Sequence, residues 1–229
     1  LLREECTVPP GQKAVYSDLG FMLLGAAVEE ISGLEFDQYC HEKIFRPLGL
    51  RDTFFINLEK KRRFDLQLQE FRFAPTERCP WRKRVLCAEV HDDNAYAMGG
   101  VAGHAGMFST VADLDRLVTC LMACYCGGHP FLPAAVIQEF WRIDGSVNES
   151  TWALGWDTPS PQRSSAGALF SSHSVGHLGF TGTSVWIDLE RQVSVIVLSN
   201  RVHPRRENDK IKNFRPALHN AVMRAVLGK

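Results

Sequence analysis

Two runs rich in β-branched residues, 183–187 and 193–198, are separated only by the polar segment 188–192, the pattern of an antiparallel hairpin. A hairpin with an apolar face must be covered. The end of the chain offers the cover: Ile211, Phe214, Leu218, Val222 and Val226 recur at helical spacing and predict a terminal helix with one apolar face. The chain is thereby held to a fold in which helix packs on sheet.

Upstream the pattern is mostly helical. After the turn Pro9-Pro10-Gly11, the run 19–31 is apolar on most faces and stops at Ser32-Gly33, which predicts a buried helix with a left-handed glycine cap. Phe36, Cys40 and Ile44 recur every four residues and predict a second, amphipathic helix that ends at Pro47-Leu48-Gly49. Residues 57–84, with Lys60-Lys61-Arg62-Arg63, read as a solvated excursion. The small residues of 99–106 predict a tightly packed turn or a pocket wall. Thr110 and Asp113 have capping-box spacing ahead of a helix carrying Leu114, Leu117, Val118, Leu121 and Met122. Gly127-Gly128 ends that helix, Pro133 opens another with Val136, Ile137 and Phe140, and Trp152, Leu154 and Trp156 alternate as in a strand.

With 229 residues, 45% of them hydrophobic and 23% charged, the chain has enough apolar mass for a real core. The 26 basic residues balance the 26 acidic ones, so no net field draws the molecule to nucleic acid, and a small or neutral substrate fits better. The most apolar stretch, 19–28, is about half the roughly 20 residues of a bilayer span. Leu1-Leu2-Arg3-Glu4-Glu5-Cys6 is neither a basic leader nor an initiator methionine, so the natural product need not start there. The 7 cysteines show no disulfide-framework spacing and read as free thiols. Cys120, Cys124 and Cys126 invite a metal reading, but Cys120 and Cys124 sit at helical spacing in an apolar pattern, where packing is the expected role. His91-Asp92-Asp93-Asn94 and His104 are expected to shape a pocket wall by hydrogen bonds rather than to hold a metal.

Polar groups meet apolar framework at two places, Tyr16-Ser17-Asp18 ahead of the first helix and His177-Leu178-Gly179-Phe180-Thr181-Gly182-Thr183 ahead of the hairpin. Taken alone, each residue has an ordinary reading: Tyr16 as a rim aromatic, Asp18 as a helix N-cap, His177 as a loop histidine.

The order of the motifs changes this. Tyr16-Ser17-Asp18-Leu19-Gly20-Phe21, Leu23-Leu24-Gly25, Ile44-Phe45-Arg46-Pro47-Leu48-Gly49-Leu50 with Thr53, Gly103-His104-Ala105-Gly106 with Asp113-Leu114, Gly176-His177-Leu178-Gly179-Phe180-Thr181-Gly182-Thr183, and Leu198-Ser199-Asn200-Arg201-Val202-His203-Pro204 follow one another as in β-lactamase-related serine hydrolases. The chain resembles the C-terminal two-thirds of that family, which includes class C β-lactamases, penicillin-binding proteins and esterases.

The resemblance implies an α+β, β-lactamase/transpeptidase-like fold: an antiparallel sheet flanked by helices plus a mostly helical lobe. It implies one domain over 1–229, truncated at its N-terminus, with the lobe in about 1–150 and the strands and terminal helix in about 151–229. The family's first motif, S-x-x-K, is expected upstream, since no serine here has a lysine three residues on. By the same resemblance Tyr16 and His177 are catalytic and face one cleft. Asp18, Gly179 and Phe180 contact substrate, with the Phe180 N–H as one oxyanion donor. No cofactor or metal is implied.

Asp18 where many members have asparagine, and His177 in place of lysine, favour an ester or small amide over a β-lactam. The expected partners are a small ester, amide or peptide, with no nucleic acid and no membrane span. The protein's own missing segment, or a second copy, is expected on an exposed apolar docking surface. The chain alone is expected to be inactive, and a non-catalytic binding protein that keeps the cleft is the competing reading. Free thiols favour the cytoplasm, whereas many relatives are exported, so localisation stays open.

Overall fold

The computed structural model describes residues 5, 8–63, 68–148 and 150–228; Cys6, read above as a free thiol, lies outside them. The chain packs as two compact units. The first takes in Val15–Leu114 and Val202–Arg206, the second Val8–Ala14, Asp115–Arg201 and Glu207–Lys229.

In the first unit, α1 (Asp18–Ser32) starts where Ser17 is extended and its hydroxyl accepts the Leu19 N–H at 3.2 Å. It ends where Gly33 takes the left-handed φ of 68° expected of it. The expected burial is corrected: only Met22 and Gly25 are buried, while Leu24 and Ile31 are 61% and 87% exposed. One face is held by the glycine turn, where a Cβ on Gly103 would lie 2.2 Å from the Phe21 carbonyl oxygen. Leu19, Leu23, Leu24 and Ile31 stay exposed on the rest of α1.

The second helix departs from regular α geometry. α2 (Phe36–Cys40) runs into a π-helical turn at His41–Phe45, so that Cys40 and Phe45, five apart, are buried in place of Cys40 and Ile44. β1 (Phe54–Phe55) then comes ahead of α3 (Leu58–Arg63), in which Lys60 pairs with Glu35 and with Asp37, the latter at 3.1 Å.

The segment read as a solvated excursion is better ordered than expected, although 64–67 lie outside the described residues. β2 (Arg78–Cys79) and β3 (Arg84–Val85) pair antiparallel, and Glu77, Cys79, Arg82 and Leu86 are buried. The reason is charge pairing: Arg82 reaches the Val90 carbonyl at 2.7 Å and Asp93 at 2.7 Å, while Arg206 donates to both Glu77 oxygens at 2.9 and 2.8 Å. Basic residues that look surface-bound in sequence become buried once their partners converge.

After α4 (Asp93–Ala97) and the glycine turn, β4 (Met107–Phe108) pairs with β1, and α5 (Val111–Tyr125) follows. Thr110 Oγ1 accepts the Asp113 N–H at 3.3 Å, half of the expected capping box. The Asp113 carboxylate instead accepts from the Asp52 N–H at 2.6 Å and the Thr53 hydroxyl at 2.9 Å.

In the second unit, α6 (Ala134–Phe140) follows Pro133 as expected. The strand expected at Trp152, Leu154 and Trp156 is a tight turn: Gly155 has φ 78°, the Ala153 N–H reaches the Trp156 carbonyl at 2.8 Å, and Trp152 bridges Asp157. The alternation of apolar residues spans the turn rather than one face of a strand.

The predicted hairpin forms within a three-stranded antiparallel sheet of β5 (Ser174–Leu178), β6 (Ser184–Asp188) and β7 (Val193–Val197), in that order. Trp186 is opposite Gly176 on one side and Val195 on the other. α7 (Ile211–Leu227) covers this sheet: Trp186, Phe170, Val195, Val197, Ala166 and Met223 form a core that Leu218 and Val222 flank. The buried positions of α7 are Ile211, Arg215, His219 and Met223, a stripe that leaves Phe214 and Val226 exposed.

Candidate active site

Tyr16 and Asp18 stand together at the head of α1, in the first unit. Ser17 is the N-cap, so Asp18 is released from the capping role its position allows and becomes the first helical residue. Burial, then the charge and hydrogen bond of Asp18, then the charge of Asp92, push the Tyr16 phenol above its usual value. In this setting Tyr16 carries its proton at neutral pH.

Asp92 caps α4 by accepting the Ala95 N–H at 2.8 Å, and it accepts from His104 Nε2 at 2.9 Å. The His104 side chain, delivered by the glycine turn, is 1% exposed. Beside it, His91 and Glu77 meet at 3.0 Å. The 91–94 segment and His104 are thus tied together by hydrogen bonds. Asp18, Asp92 and His104 each present a ligand atom within 4.8 Å of the other two and so have the donors a cation would need.

His177 lies in the second unit, on β5, which is an edge of the sheet. Its Nδ1 donates to the Leu178 carbonyl at 3.0 Å, which fixes the tautomer with the lone pair on Nε2. Burial lowers its pKa below the ordinary histidine value, against the opposing effects of the Leu178 bond and the Asp157 charge. Trp152 packs beside the ring, with centroids 6.1 Å apart.

Gly179 and Phe180 occupy the turn that joins β5 to β6. A Cβ on Gly179 would meet Thr183 Oγ1 at 2.0 Å, and its N–H reaches the Thr183 carbonyl at 2.8 Å, so the turn itself demands glycine. Phe180 is 59% exposed, with the Arg201 guanidinium 4.2 Å from its ring centroid.

Sequence reasoning missed the residues that hold this turn. Arg215 Nη2, from α7, donates to the Gly179 carbonyl at 2.6 Å and the Thr183 carbonyl at 2.7 Å. His219 bonds Ser184 Oγ at 3.3 Å and the Ser165 carbonyl at 2.7 Å. Asp157 pairs its backbone with Gly176 and holds Thr151 Oγ1 at 2.7 Å. Arg215 and His219 share the helical spacing of the buried Ile211 and Met223, but being polar they fell outside the apolar pattern, and Asp157 had no signal.

Small antiparallel sheets with flanking helices, a glycine turn packed on a helix and a histidine on an edge strand make this an α+β scaffold of the β-lactamase/transpeptidase type. Residues 1–217 match the family model described as Beta-lactamase. The chain belongs to the Beta-lactamase family.

A protein of Escherichia coli strain K12 named "Putative D-alanyl-D-alanine carboxypeptidase" is 35% identical over 209 residues, which are 85% of this chain and 46% of that protein. One of the same name from Salmonella schwarzengrund is 33% identical over 222 residues, 88% of this chain and 48% of it. The chain therefore spans about half the length of these curated relatives. Among solved structures, a beta-lactamase from Mycobacterium bovis has a TM-score of 0.65 at 21% identity, over 96% of this chain and 66% of that one. Simvastatin synthase from Aspergillus terreus has a TM-score of 0.59 at 16% identity, over 88% and 53%. At such identities the structural likeness speaks for the fold alone.

Proposed function

We propose that the full-length protein is a serine hydrolase that forms an acyl-enzyme on an ester, small amide or peptide carbonyl. The observation that carries this reading is that a chain of the Beta-lactamase family keeps Tyr16-Ser17-Asp18 at the head of α1 and, in its other unit, His177 on an edge strand that runs into the Gly179-Phe180 turn. The relatives' carboxypeptidase name supports a peptide as one candidate substrate.

The nucleophile is proposed to come from a segment outside this chain, because no serine here has a lysine three residues on. The serine attacks the carbonyl, and Tyr16 takes part in moving its proton. Since Asp18, Asp92 and burial all favour the neutral phenol, base catalysis by Tyr16 requires a cation supplied with the nucleophile. The Phe180 N–H is proposed as an oxyanion donor, a class of contact worth about 3 kcal/mol of barrier. His177, neutral at pH 7, orients the substrate or relays the Tyr16 proton, and Asp18 accepts hydrogen bonds from the incoming lysine.

Treatment of the full-length protein with a fluorophosphonate tests this directly. Stoichiometric labelling of one serine is expected, and Tyr16→Phe is expected to slow acylation by about 10²–10⁴-fold. A folded full-length protein that never labels instead favours a binding protein that keeps the fold and not the chemistry.

A further inference from the structure

The helix α5 ends in a cluster that the serine chemistry does not use. Cys120 and Cys124 lie one turn apart on its buried side, 9% and 0% exposed, and the turn at Gly127-Gly128 brings the exposed His129 back over them. Cys120 Sγ is 3.6 Å and Cys124 Sγ 4.0 Å from His129 Nδ1, and the three ligand atoms lie within 4.8 Å of one another. We propose that Cys120, Cys124 and His129 bind one thiophilic divalent ion of the zinc class.

The distances are those a metal requires. With metal–sulfur bonds of about 2.3 Å and metal–nitrogen bonds of about 2.0–2.1 Å, tetrahedral coordination sets neighbouring ligand atoms roughly 3.6–3.8 Å apart. Small movements of an exposed imidazole complete the fit. The Phe131 N–H donates to His129 Nδ1 at 3.2 Å, so that nitrogen already carries a lone pair, the tautomer a metal needs; the ion takes the lone pair in exchange for this long bond.

Two thiolates and one imidazole form a soft donor set that selects zinc over magnesium or calcium. His129 faces solvent, which gives the ion an entry path and leaves the fourth position to water. Cys126 takes no part: its Sγ accepts the Gln192 side-chain N–H at 3.8 Å.

Binding balances without redox change. Two S–H bonds break, two protons leave to solvent, two metal–sulfur bonds form, and the site's charge falls from that of the free dication to neutral. Burial and the neighbouring Cys124 push the Cys120 thiol up to about 11, so Cys120 keeps its proton until a metal displaces it. The loaded site would clip the end of α5 to the loop at 127–131, a structural rather than catalytic role.

The full-length protein, stripped of metal under reducing conditions, is titrated with Co²⁺ alone. One equivalent is expected to produce a thiolate-to-cobalt charge-transfer band that Zn²⁺ abolishes, and Zn²⁺ is expected to raise the melting temperature. Cys124→Ser should remove the band. His129→Ala, at an exposed position that leaves the fold intact, should weaken Zn²⁺ binding about tenfold or more. Absence of the band in the wild type, unchanged Zn²⁺ affinity in His129→Ala, or a Cys120–Cys124 disulfide formed in preference to metal binding would each overturn the assignment.

Discussion

His177 illustrates how one residue's setting fixes its chemistry. The Nδ1–H bond to Leu178 selects the tautomer, and burial opposes protonation more strongly than Asp157 promotes it. A histidine with a lowered folded pKa is neutral at pH 7, and the unfolded chain takes up its proton first as the pH falls. Its contribution to stability is therefore complete above the ordinary value of about 6.5 and declines as the pH drops below it. The imidazole signals of His177, followed by NMR, should titrate with a midpoint below 6.5; a midpoint at or above that value would show that Asp157 outweighs burial. The residue type and its motif were readable in the sequence. The sign of its pKa shift was not, because it depends on how Trp152, Asp157 and the edge of β5 surround the ring.

At the scale of elements, close approach rather than propensity decides what is tolerated. Gly176 lies opposite Trp186 across β5 and β6, and a Cβ there would come within 2.4 Å of the indole. Gly176→Ala is expected to cost about 1–3 kcal/mol through overpacking, measured by denaturant unfolding, with the loss shared by the Trp186 core. The clamp on the β5–β6 turn is a second case. Arg215→Met removes both donors to the Gly179 and Thr183 carbonyls and is expected to speed amide hydrogen exchange across 179–183 while the helix around it stays folded. Unchanged exchange there would mean that Thr183 alone holds the turn.

The helix period in 211–226 was visible in the sequence, but its apolar members marked a face one step away from the one buried. Arg215 and His219 are buried because backbone carbonyls at Gly179, Thr183 and Ser165 receive their protons. A hydrophobicity pattern has no means of anticipating such partners. The same holds for Glu77, whose burial depends on Arg206 far along the chain.

For the whole molecule, the apolar residues left on α1 are the main consequence of packing. Leu19, Leu23, Leu24 and Ile31 are exposed, a cluster rare on a monomer's surface. The nucleophile-bearing segment is proposed to cover them in the full-length protein. Residues 1–229 expressed alone should then self-associate or bind a hydrophobic dye, whereas the full-length protein should do neither; sedimentation of a monodisperse, dye-silent 1–229 would argue against that cover. None of the described helices is long and apolar enough to cross a membrane.

By itself the sequence determined the helices that carry their own start and stop signals, the hairpin of β6 and β7, and the family, because these rest on short-range patterns and on the order of motifs. Tertiary structure decided which apolar faces are covered and which arginines and histidines are buried. Those outcomes depend on which distant backbone carbonyls, carboxylates and side chains converge, and convergence is a property of packing that no local pattern encodes.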